Sequence, residues 1–150
     1  MEKQDAFIRS MAAAFVEKRE NSYNVLYVYG SPADTGALAE QIYRAYRTRN
    51  PQGVILRKDG FSFNRELIEY VLTGKNLHEL EMPACDLLIF ENIEGVGGKM
   101  MSEEIVYLMV DGMLRQNGKI LVTGSGPVHD LMTLQPRICA QLIGGINQAV

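Results

Sequence analysis

The segment from Val25 to Ala37, VLYVYGSPADTGA, has the frame of a phosphate-binding loop. Its β-branched and aromatic run predicts a buried strand that Gly30 ends, and an apolar helical pattern begins at Leu38. Strand, glycine turn and helix in this order are the setting of the pattern G-x-x-x-x-G-K-[ST]. In that pattern the lysine contacts the β and γ phosphates of a nucleotide, and the hydroxyl group holds Mg²⁺. The chemistry expected here therefore depends on which side chains occupy those two positions.

The decisive positions of this frame carry side chains that supply neither a positive charge nor a metal ligand. Counted from the first glycine, the second glycine, the lysine and the hydroxyl residue fall on Thr35, Gly36 and Ala37. Hydrogen bonds to charged groups contribute about 1.5–3 kcal/mol each, so their loss should weaken nucleotide binding by orders of magnitude. Asp34 also places a carboxylate where a polyphosphate would lie. The loop that contains Ser31 is then either a phosphate loop that has lost its function or an ordinary turn between a strand and a helix.

Other residues with chemical potential do not assemble into a catalytic or metal site. Asp86 and Glu91 bracket an apolar strand and so lie at its opposite ends, and neither Glu91 nor Glu94 has a histidine close in the sequence. Ser125, in the segment GSGP, lacks the G-x-S-x-G pattern of a nucleophile turn. The sequence therefore predicts no catalytic residue, no cofactor and no metal.

Strands and helices alternate along the chain, and this order must position the residues described above. The predicted elements are helices at 5–17, 36–49, 64–72 and 102–116, with Asp5 and Ser102 as N-cap residues, strands at 25–29, 54–57, 86–90 and 119–123, and a short helical stretch at 128–134. Strands that are separated by helical crossovers pair in parallel, and strands that are apolar throughout are covered on both faces. The sequence therefore predicts an α/β fold of three layers, with a parallel sheet flanked by helices.

Length and composition favour one globular domain over residues 1–150. Hydrophobic residues make up 47% of the chain and charged residues 22%, which excludes a disordered protein. No apolar run approaches the roughly 18 residues that would span a membrane. Cys85 and Cys139 lack CxxC spacing, which favours structural thiols in a reduced, cytoplasmic protein. Since the last predicted element lies close to the end of the chain, we expect no second domain after it.

Basic residues and a pair of methionines are the candidate interaction sites. Arg57 and Lys58 follow the second predicted strand, and Lys99 follows a glycine-rich loop that could hold an anion. A net charge of −3 argues against a dedicated nucleic-acid surface, so a solvated face is favoured and DNA contact is the alternative. Met100 and Met101 fall in the predicted loop before a helix, where adaptable thioether side chains suit a protein contact.

Three segments together resemble the nucleotide-binding AAA+ domain of the bacterial replication initiator DnaA and its short relatives. They are NVLYVYG (24–30), CDLLIFENIEGVGGKMMSEEIVYLMVDGMLRQNGKILVTGSGP (85–127) and HDLMTLQPRI (129–138). The longest has an acidic residue that opens an apolar strand, a glycine-lysine turn, a long helix and a strand that ends in threonine, in the order found in that family. The resemblance implies a P-loop NTPase core of the AAA+ type, without the helical lid that closes over adenine and without the helix-turn-helix that binds the origin.

The resemblance carries over few of the family's functional side chains. The phosphate-loop lysine and threonine, the two Walker B acids, the sensor and the arginine finger correspond, in that order, to Gly36, Ala37, Glu91, Asn92, Ser125 and Gln141. Glu91 keeps a negative charge, whereas Asn92 cannot act as a base and Gln141 is neutral. Arg137 matches an arginine of the family other than the finger.

The sequence leaves three functional hypotheses. The first is a catalytically inactive pseudo-ATPase core that acts by protein contact and regulates the initiation of DNA replication, with DnaA or another AAA+ replication protein as its partner. The second is a weak nucleotide-binding protein or ATPase that uses Glu91 in an altered site. The third is a DNA-binding accessory protein that uses Arg57, Lys58 and Lys99. No membrane partner is expected, and the sequence does not fix the oligomeric state.

Overall fold

Five strands form one parallel sheet in the computed structural model, which describes residues 2–17, 25–81 and 84–150. The strands are β1 (Val25–Tyr29), β2 (Ile55–Asp59), β3 (Leu87–Glu91), β4 (Lys119–Gly124) and β5 (Ile146–Ala149). Their order across the sheet is β2-β3-β4-β1-β5, and every neighbouring pair is parallel. The carboxyl ends of all five strands therefore lie at one edge of the sheet.

Helices cover both faces of this sheet. They are α1 (Glu2–Glu17), α2 (Pro32–Arg49), α3 (Gly60–Leu72), α4 (His78–Glu81), α5 (Met100–Arg115) and α6 (Pro136–Ile143), with single 3₁₀ turns at Ile93–Val96 and Val128–Asp130. Alternate side chains of each strand point to opposite faces, so Leu87 and Ile89 pack against α1 and α2, while Leu88 and Phe90 pack against α3, α5 and α6. The predicted three-layer α/β fold is confirmed. In the described residues, none of these helices has the length and hydrophobicity needed to cross a membrane.

All four predicted helices begin earlier than the sequence predicts, and local capping explains the start of the third. The third helix begins at Gly60 rather than 64, because the Asp59 carboxylate accepts a hydrogen bond from the Phe61 amide at 2.7 Å. The prediction of Asp5 as an N-cap is wrong, since α1 already begins at Glu2.

The prediction that Ser102 caps α5 is also wrong. The helix begins at Met100, so Ser102 lies inside its first turn. Ser102 is fully buried, and its hydroxyl donates a hydrogen bond of 3.0 Å to the Asn64 side chain on α3. This serine therefore ties two helices together instead of starting one.

The C-terminal elements α6 and β5 escape the sequence analysis, and the helical stretch predicted at 128–134 shrinks to the 3₁₀ turn. The entry to α6 depends on a distant residue, because the buried Glu103 carboxylate accepts a hydrogen bond of 2.9 Å from the Gln135 amide. The last strand is short and largely exposed, with the sequence INQA, and it forms by pairing with β1. Neither signal is visible in a local pattern.

Two glycines allow α3 to approach the turn that follows β3. A Cβ atom at Gly60 would lie 2.0 Å from the Asn92 carbonyl oxygen, and one at Gly95 would lie 2.4 Å from the Gly60 carbonyl carbon. Backbone atoms cannot move aside as the end of a flexible side chain can. This contact therefore fixes the start of α3 against the end of β3.

We expect Gly95→Ala to lower the free energy of unfolding by about 2–3 kcal/mol, because the added methyl overlaps backbone. Gly36→Ala is the matched control, since Gly36 lies inside α2 and a Cβ atom there would meet nothing within 4 Å. Alanine favours a helix over glycine, so this variant should gain up to about 1 kcal/mol. Urea unfolding of the two variants measures both values. A Gly95→Ala protein as stable as the wild type would contradict the close approach of these segments.

Candidate functional site

The carboxyl edge of the sheet collects the residues that the sequence analysis marks for chemistry. In open parallel sheets, ligands bind in the crevice at this edge, where helix N-termini converge. Gly30 follows β1, Glu91 ends β3 and Ser125 follows β4. The topology of the sheet therefore brings the ends of the three predicted motifs to the same edge.

The connection from β1 to α2 consists of only two residues, Gly30 and Ser31. The prediction that α2 starts at Gly36 is wrong, because the helix begins at Pro32. The part of the frame that would wrap around phosphate, from Pro32 to Gly36, is helical, and its amides enter the helical hydrogen-bond pattern from Thr35 onward, where the Thr35 amide bonds the Ser31 carbonyl at 3.0 Å.

The N-terminus of α2 is capped by the side chain of Ser31, which also bonds the side chain of Asp34. The Ser31 hydroxyl accepts a hydrogen bond from the Asp34 amide at 3.3 Å and donates one to the Asp34 carboxylate at 2.9 Å. The buried Thr35 hydroxyl donates to the Ser31 carbonyl at 3.2 Å. Asp34 also places a negative charge beside the positive end of the helix dipole. The Ser31 hydroxyl thus supplies a hydrogen-bond acceptor, and Asp34 supplies the negative charge, that an anion would bring to this position.

Backbone from the end of the chain lies directly against Gly30. The Gly30 amide donates to the Gly124 carbonyl at 3.2 Å, and the Val150 amide donates to the Tyr29 carbonyl at 2.9 Å. A Cβ atom at Gly30 would lie 2.5 Å from the Val150 carbonyl oxygen. Glycine is needed here for close approach of the chain to itself.

A tyrosine of β1 packs against the end of β4 and the turn that follows it. The Tyr27 hydroxyl donates a hydrogen bond of 2.5 Å to the Gly126 carbonyl, and a Cβ atom at Gly124 would lie 2.2 Å from the same hydroxyl oxygen. Burial raises the pKa of Tyr27, with a smaller contribution from the negative charge of Glu94. Ser125 is exposed above this contact. The phenol therefore stays protonated and acts as a fixed donor in the packing of the edge.

At the end of β3, Glu91 is paired with an arginine. The Arg57 Nε atom lies 2.9 Å from the Glu91 carboxylate, and an Nη atom of Arg57 lies 2.8 Å from the carboxylate of Glu40 on α2. The guanidinium also lies over the Tyr43 ring, 5.7 Å from its centre. These hydrogen bonds raise the pKa of Arg57, chiefly through Glu91, and lower the pKa of Glu40, chiefly through Arg57. Because β2 continues to Asp59, the prediction that Arg57 and Lys58 follow this strand is wrong.

Asn92 is held by hydrogen bonds on both sides. Its amide donates to the Thr123 hydroxyl at 2.9 Å, and its side-chain Nδ2 donates to the Asp59 carboxylate at 3.0 Å. The residue has a left-handed φ of 55°, a conformation that asparagine tolerates better than most residues. The two residues at the Walker B position therefore belong to different structural networks, and in residues 2–17, 25–81 and 84–150 no three metal-ligating side chains converge.

The two C-terminal family positions also contact the chain itself. The Gln141 Nε2 group donates to the Tyr107 carbonyl on α5 at 3.0 Å, while its amide oxygen is buried without a partner among the described residues. Arg137 forms an ion pair with Glu104, and its guanidinium carbon lies 4.3 Å from the centre of the Tyr107 ring. Gln141 thus points inward.

The predicted interaction residues have mixed environments. Met100 is 80% exposed, whereas Met101 is half-buried against the core, and both begin α5 instead of preceding it as predicted. Lys99 donates from Nζ to the Gly95 carbonyl at 3.0 Å, and Lys58 pairs with Glu66 at 3.2 Å. Of these residues, Met100 alone presents a large free apolar side chain.

Sequence reasoning missed the residues that complete these networks, namely Tyr27, Glu40, Asp59 and Thr123. Each contacts a residue that is distant in the sequence, and contact is set by the order of strands in the sheet. Only Asp59 carried a local signal, since an aspartate before a helical pattern is a frequent N-cap.

The chain resembles known replication proteins in both sequence and structure. It is 24% identical to the chromosomal replication initiator DnaA of Deinococcus radiodurans over 140 residues, and 26% identical to DnaA of Ureaplasma parvum over 149 residues. These matches cover 90% and 93% of the chain but 29% and 32% of the relatives, so the chain spans about a third of the length of these initiators. No family model matches the chain.

Solved structures have the same fold at lower sequence identity. Domain III of the Thermotoga maritima DnaA superimposes with a TM-score of 0.86 at 16% identity, over 97% of this chain and 62% of that one. The AMPPCP-bound DnaA of Aquifex aeolicus gives 0.83 at 16% identity, over 94% and 44%, and DnaI gives 0.70 at 15%, over 94% and 78%. The five-stranded parallel sheet and its flanking helices therefore have the fold of the AAA+ core of DnaA domain III.

Proposed function

We propose that this protein is a DnaA-like AAA+ core that does not hydrolyse ATP and that regulates the initiation of DNA replication by binding another protein. The observation that carries the proposal is the start of α2 at Pro32. A phosphate-binding loop holds an anion with the backbone N–H groups of an extended loop. Here the connection is two residues long, and the helix N-terminus is capped by the Ser31 hydroxyl and carries the negative charge of Asp34.

The ion pair at Glu91 supports the same conclusion. A Walker B acid must be free to hold Mg²⁺, directly or through water. The Arg57 guanidinium lies where a cation would neutralise Glu91, and it also bonds Glu40. A metal ion would have to displace a hydrogen-bonded arginine that the fold positions from the neighbouring strand.

The proposed partner is DnaA or another AAA+ replication protein. The curated relatives are named as chromosomal replication initiators, and the solved relatives include DnaI and the DnaC helicase loader. AAA+ proteins of this kind share one core, so a core that has lost its nucleotide site can still present the surfaces by which such domains meet. Met100, exposed at the start of α5, is our candidate contact residue.

The two other hypotheses gain no support from the site. A weak ATPase that uses Glu91 would need that carboxylate free of Arg57, and a DNA-binding face would need free cations. Arg57 and Lys58 are paired with Glu91 and Glu66, while Lys99 is bonded to a backbone carbonyl.

We expect no binding of Mg-ATP below a Kd of about 100 μM, even in the double variant Gly36→Lys/Ala37→Thr. That variant restores the reactive residue types, but positions 36 and 37 lie in the second turn of α2 and no loop surrounds a phosphate. Isothermal titration calorimetry with Mg-ATP measures both proteins, and an active DnaA titrated in parallel shows that the assay detects binding. A Kd below 100 μM for the wild type would favour the hypothesis of a weak nucleotide-binding protein. A Kd below 100 μM for the double variant alone would show that the first turn of α2 can unwind to hold a phosphate.

Arg57→Met should lower the free energy of unfolding at pH 7 by about 1–2 kcal/mol, between the values for exposed and buried ion pairs. In the native protein the pKa of Glu40 lies below its ordinary value of about 4.5. The ionised carboxylate therefore stabilises the native state above pH 4.5, and this stabilisation is lost as the pH falls further. The difference in the free energy of unfolding between the wild type and Arg57→Met should therefore shrink below pH 4.5. Chemical denaturation at pH 7 and pH 4 measures it.

Arg44→Met is the control for this experiment, because Arg44 pairs with Glu40 alone and is largely exposed. It should cost less than about 0.5 kcal/mol. An Arg57→Met effect no larger than that of Arg44→Met would mean that Glu91 is not held by Arg57 in solution.

Replacement of Met100 by glutamate should weaken binding to the DnaA protein of the same host by about tenfold, because a charge would be buried in the contact. Phe7→Glu is the control, since Phe7 is also exposed and lies on α1, on the other face of the sheet from α5. Biolayer interferometry with purified proteins measures both variants. Absence of binding by the wild type to DnaA and to the host's helicase and helicase loader would remove the replication role.

A further inference from the structure

The outer face of α3 has an apolar stripe that the fold does not use. Phe61, Arg65, Ile68 and Leu72 recur at intervals of four, three and four residues, so they lie along one side of the helix. Phe61 is 64% exposed, Ile68 45% and Leu72 79%. The opposite side of the helix packs into the core through Phe63 and Leu67. We call the exposed set, Phe61, Arg65, Ile68 and Leu72, the α3 stripe.

The stripe is unusual for a helix that already buries one face. A surface helix normally has polar residues opposite its buried side, and contiguous exposed apolar side chains mark a contact site. Val71, beside the stripe, is also exposed. Three large apolar side chains on thirteen residues of helix therefore require an occupant.

The charges on this face show which occupant fits. The side chains of Arg65 and Glu69 are exposed and have no ion-pair or hydrogen-bond partner within residues 2–17, 25–81 and 84–150. The remaining charged residue of the helix, Glu66, is paired with Lys58. Arg65 in the stripe and Glu69 beside it thus offer one positive and one negative charge, four residues apart, that are unpaired within the described residues.

An antiparallel copy of the same helix matches this pattern. A two-fold axis beside residues 66 and 67 places Phe61 of one copy against Leu72 of the other, and it repeats that contact by symmetry. The same axis brings Ile68 against the aliphatic stem of Arg65, and it brings the Arg65 guanidinium within reach of Glu69 in the other copy. From this self-complementarity we infer that the protein forms a homodimer through the α3 stripe.

The length of α3 sets the strength of this dimer. Thirteen residues of helix span about 20 Å, and one helix pair of that length buries less than the roughly 800 Å² per partner of a stable interface. The dimer is therefore weak, with a Kd on the order of 10–100 μM.

Dimerisation through α3 leaves the opposite side of each core free. The helices α1 and α2 lie on the other face of the sheet from α3, so each copy retains that face and the β5 edge. Two linked copies can bind an assembly of repeated partners more tightly than one copy, because the second contact becomes intramolecular. The inference is independent of the proposed function, since dimerisation is measured without any partner.

The test is sedimentation equilibrium from about 5 to 500 μM, a range that brackets the expected Kd. The wild type, of 16.8 kDa, should show an average mass that rises toward twice this value. Leu72→Glu should raise the Kd more than about tenfold. Phe7→Glu is the matched control, since Phe7 is an exposed apolar residue on α1, on the other face of the sheet, and it should leave the Kd unchanged.

A charge swap tests the antiparallel register. Arg65→Glu and Glu69→Arg should each raise the Kd about fivefold or more, because each places like charges opposite one another. The double variant Arg65→Glu/Glu69→Arg should return the Kd to near the wild-type value. Circular dichroism confirms that every variant is folded, which these exposed positions permit.

A monomer at 500 μM would overturn the inference. So would a dimer that Leu72→Glu leaves intact, which would lie at another surface, or single charge variants that the double variant does not rescue. Binding of the stripe to a different protein, with this chain monomeric, would also overturn it and would leave the proposed replication role standing.

Discussion

The N-terminus of α2 needs hydrogen-bond acceptors, and the Ser31 side chain supplies one without a ligand. The first turn of any helix leaves backbone N–H groups without partners inside the helix, and in parallel α/β sheets these groups face the carboxyl edge. A nucleotide-binding core leaves them for phosphate. Here Ser31, Asp34 and Thr35 make the local hydrogen bonds, and the helix begins so soon after Gly30 that no loop remains. The short connection then allows the backbone at Val150 to pack against Gly30.

Groups of the protein also take the place of a ligand at the end of β3. Glu91 lies at the end of β3 and would repel any negative ligand at the edge, yet its charge is offset by Arg57 from β2. Asn92 bonds Asp59, which also caps α3. At the end of β4, the protonated Tyr27 hydroxyl packs against Gly124 and bonds the Gly126 carbonyl. Charge, hydrogen bonding and volume at the edge are therefore all supplied by the protein, and these three networks share no side chain.

The sequence predicted the sheet better than its edge, for a physical reason. Strand cores such as Leu87–Phe90 are apolar over their whole length, and burial of such runs depends little on the rest of the chain. The prediction for the start of α2 is wrong because it follows the frame of a phosphate loop. The residues at 31, 32 and 34 fit a helix start instead, since serine is a common N-cap, proline suits the first turn and aspartate favours the helix dipole. The Arg57–Glu91 pair joins residues 34 apart and follows from register, where Asp59 lies beside Glu91. No local pattern contains that information.

Closure of the edge also changes how such a core can be controlled. A domain that binds nucleotide gains stability from it, about 2.7 kcal/mol when the ligand is at one hundred times its Kd, and its conformation follows the nucleotide state. If the contacts of Ser31, Asp34 and Arg57 replace that ligand, the stability of this core is constant with respect to ATP, and no nucleotide cycle can switch its surfaces on or off. Under the proposed function, such a protein is regulated through its concentration, through its partner's state or through competition for its exposed faces. This requirement places functional importance on the outer helices and away from the carboxyl edge, where most members of the AAA+ fold keep their chemistry.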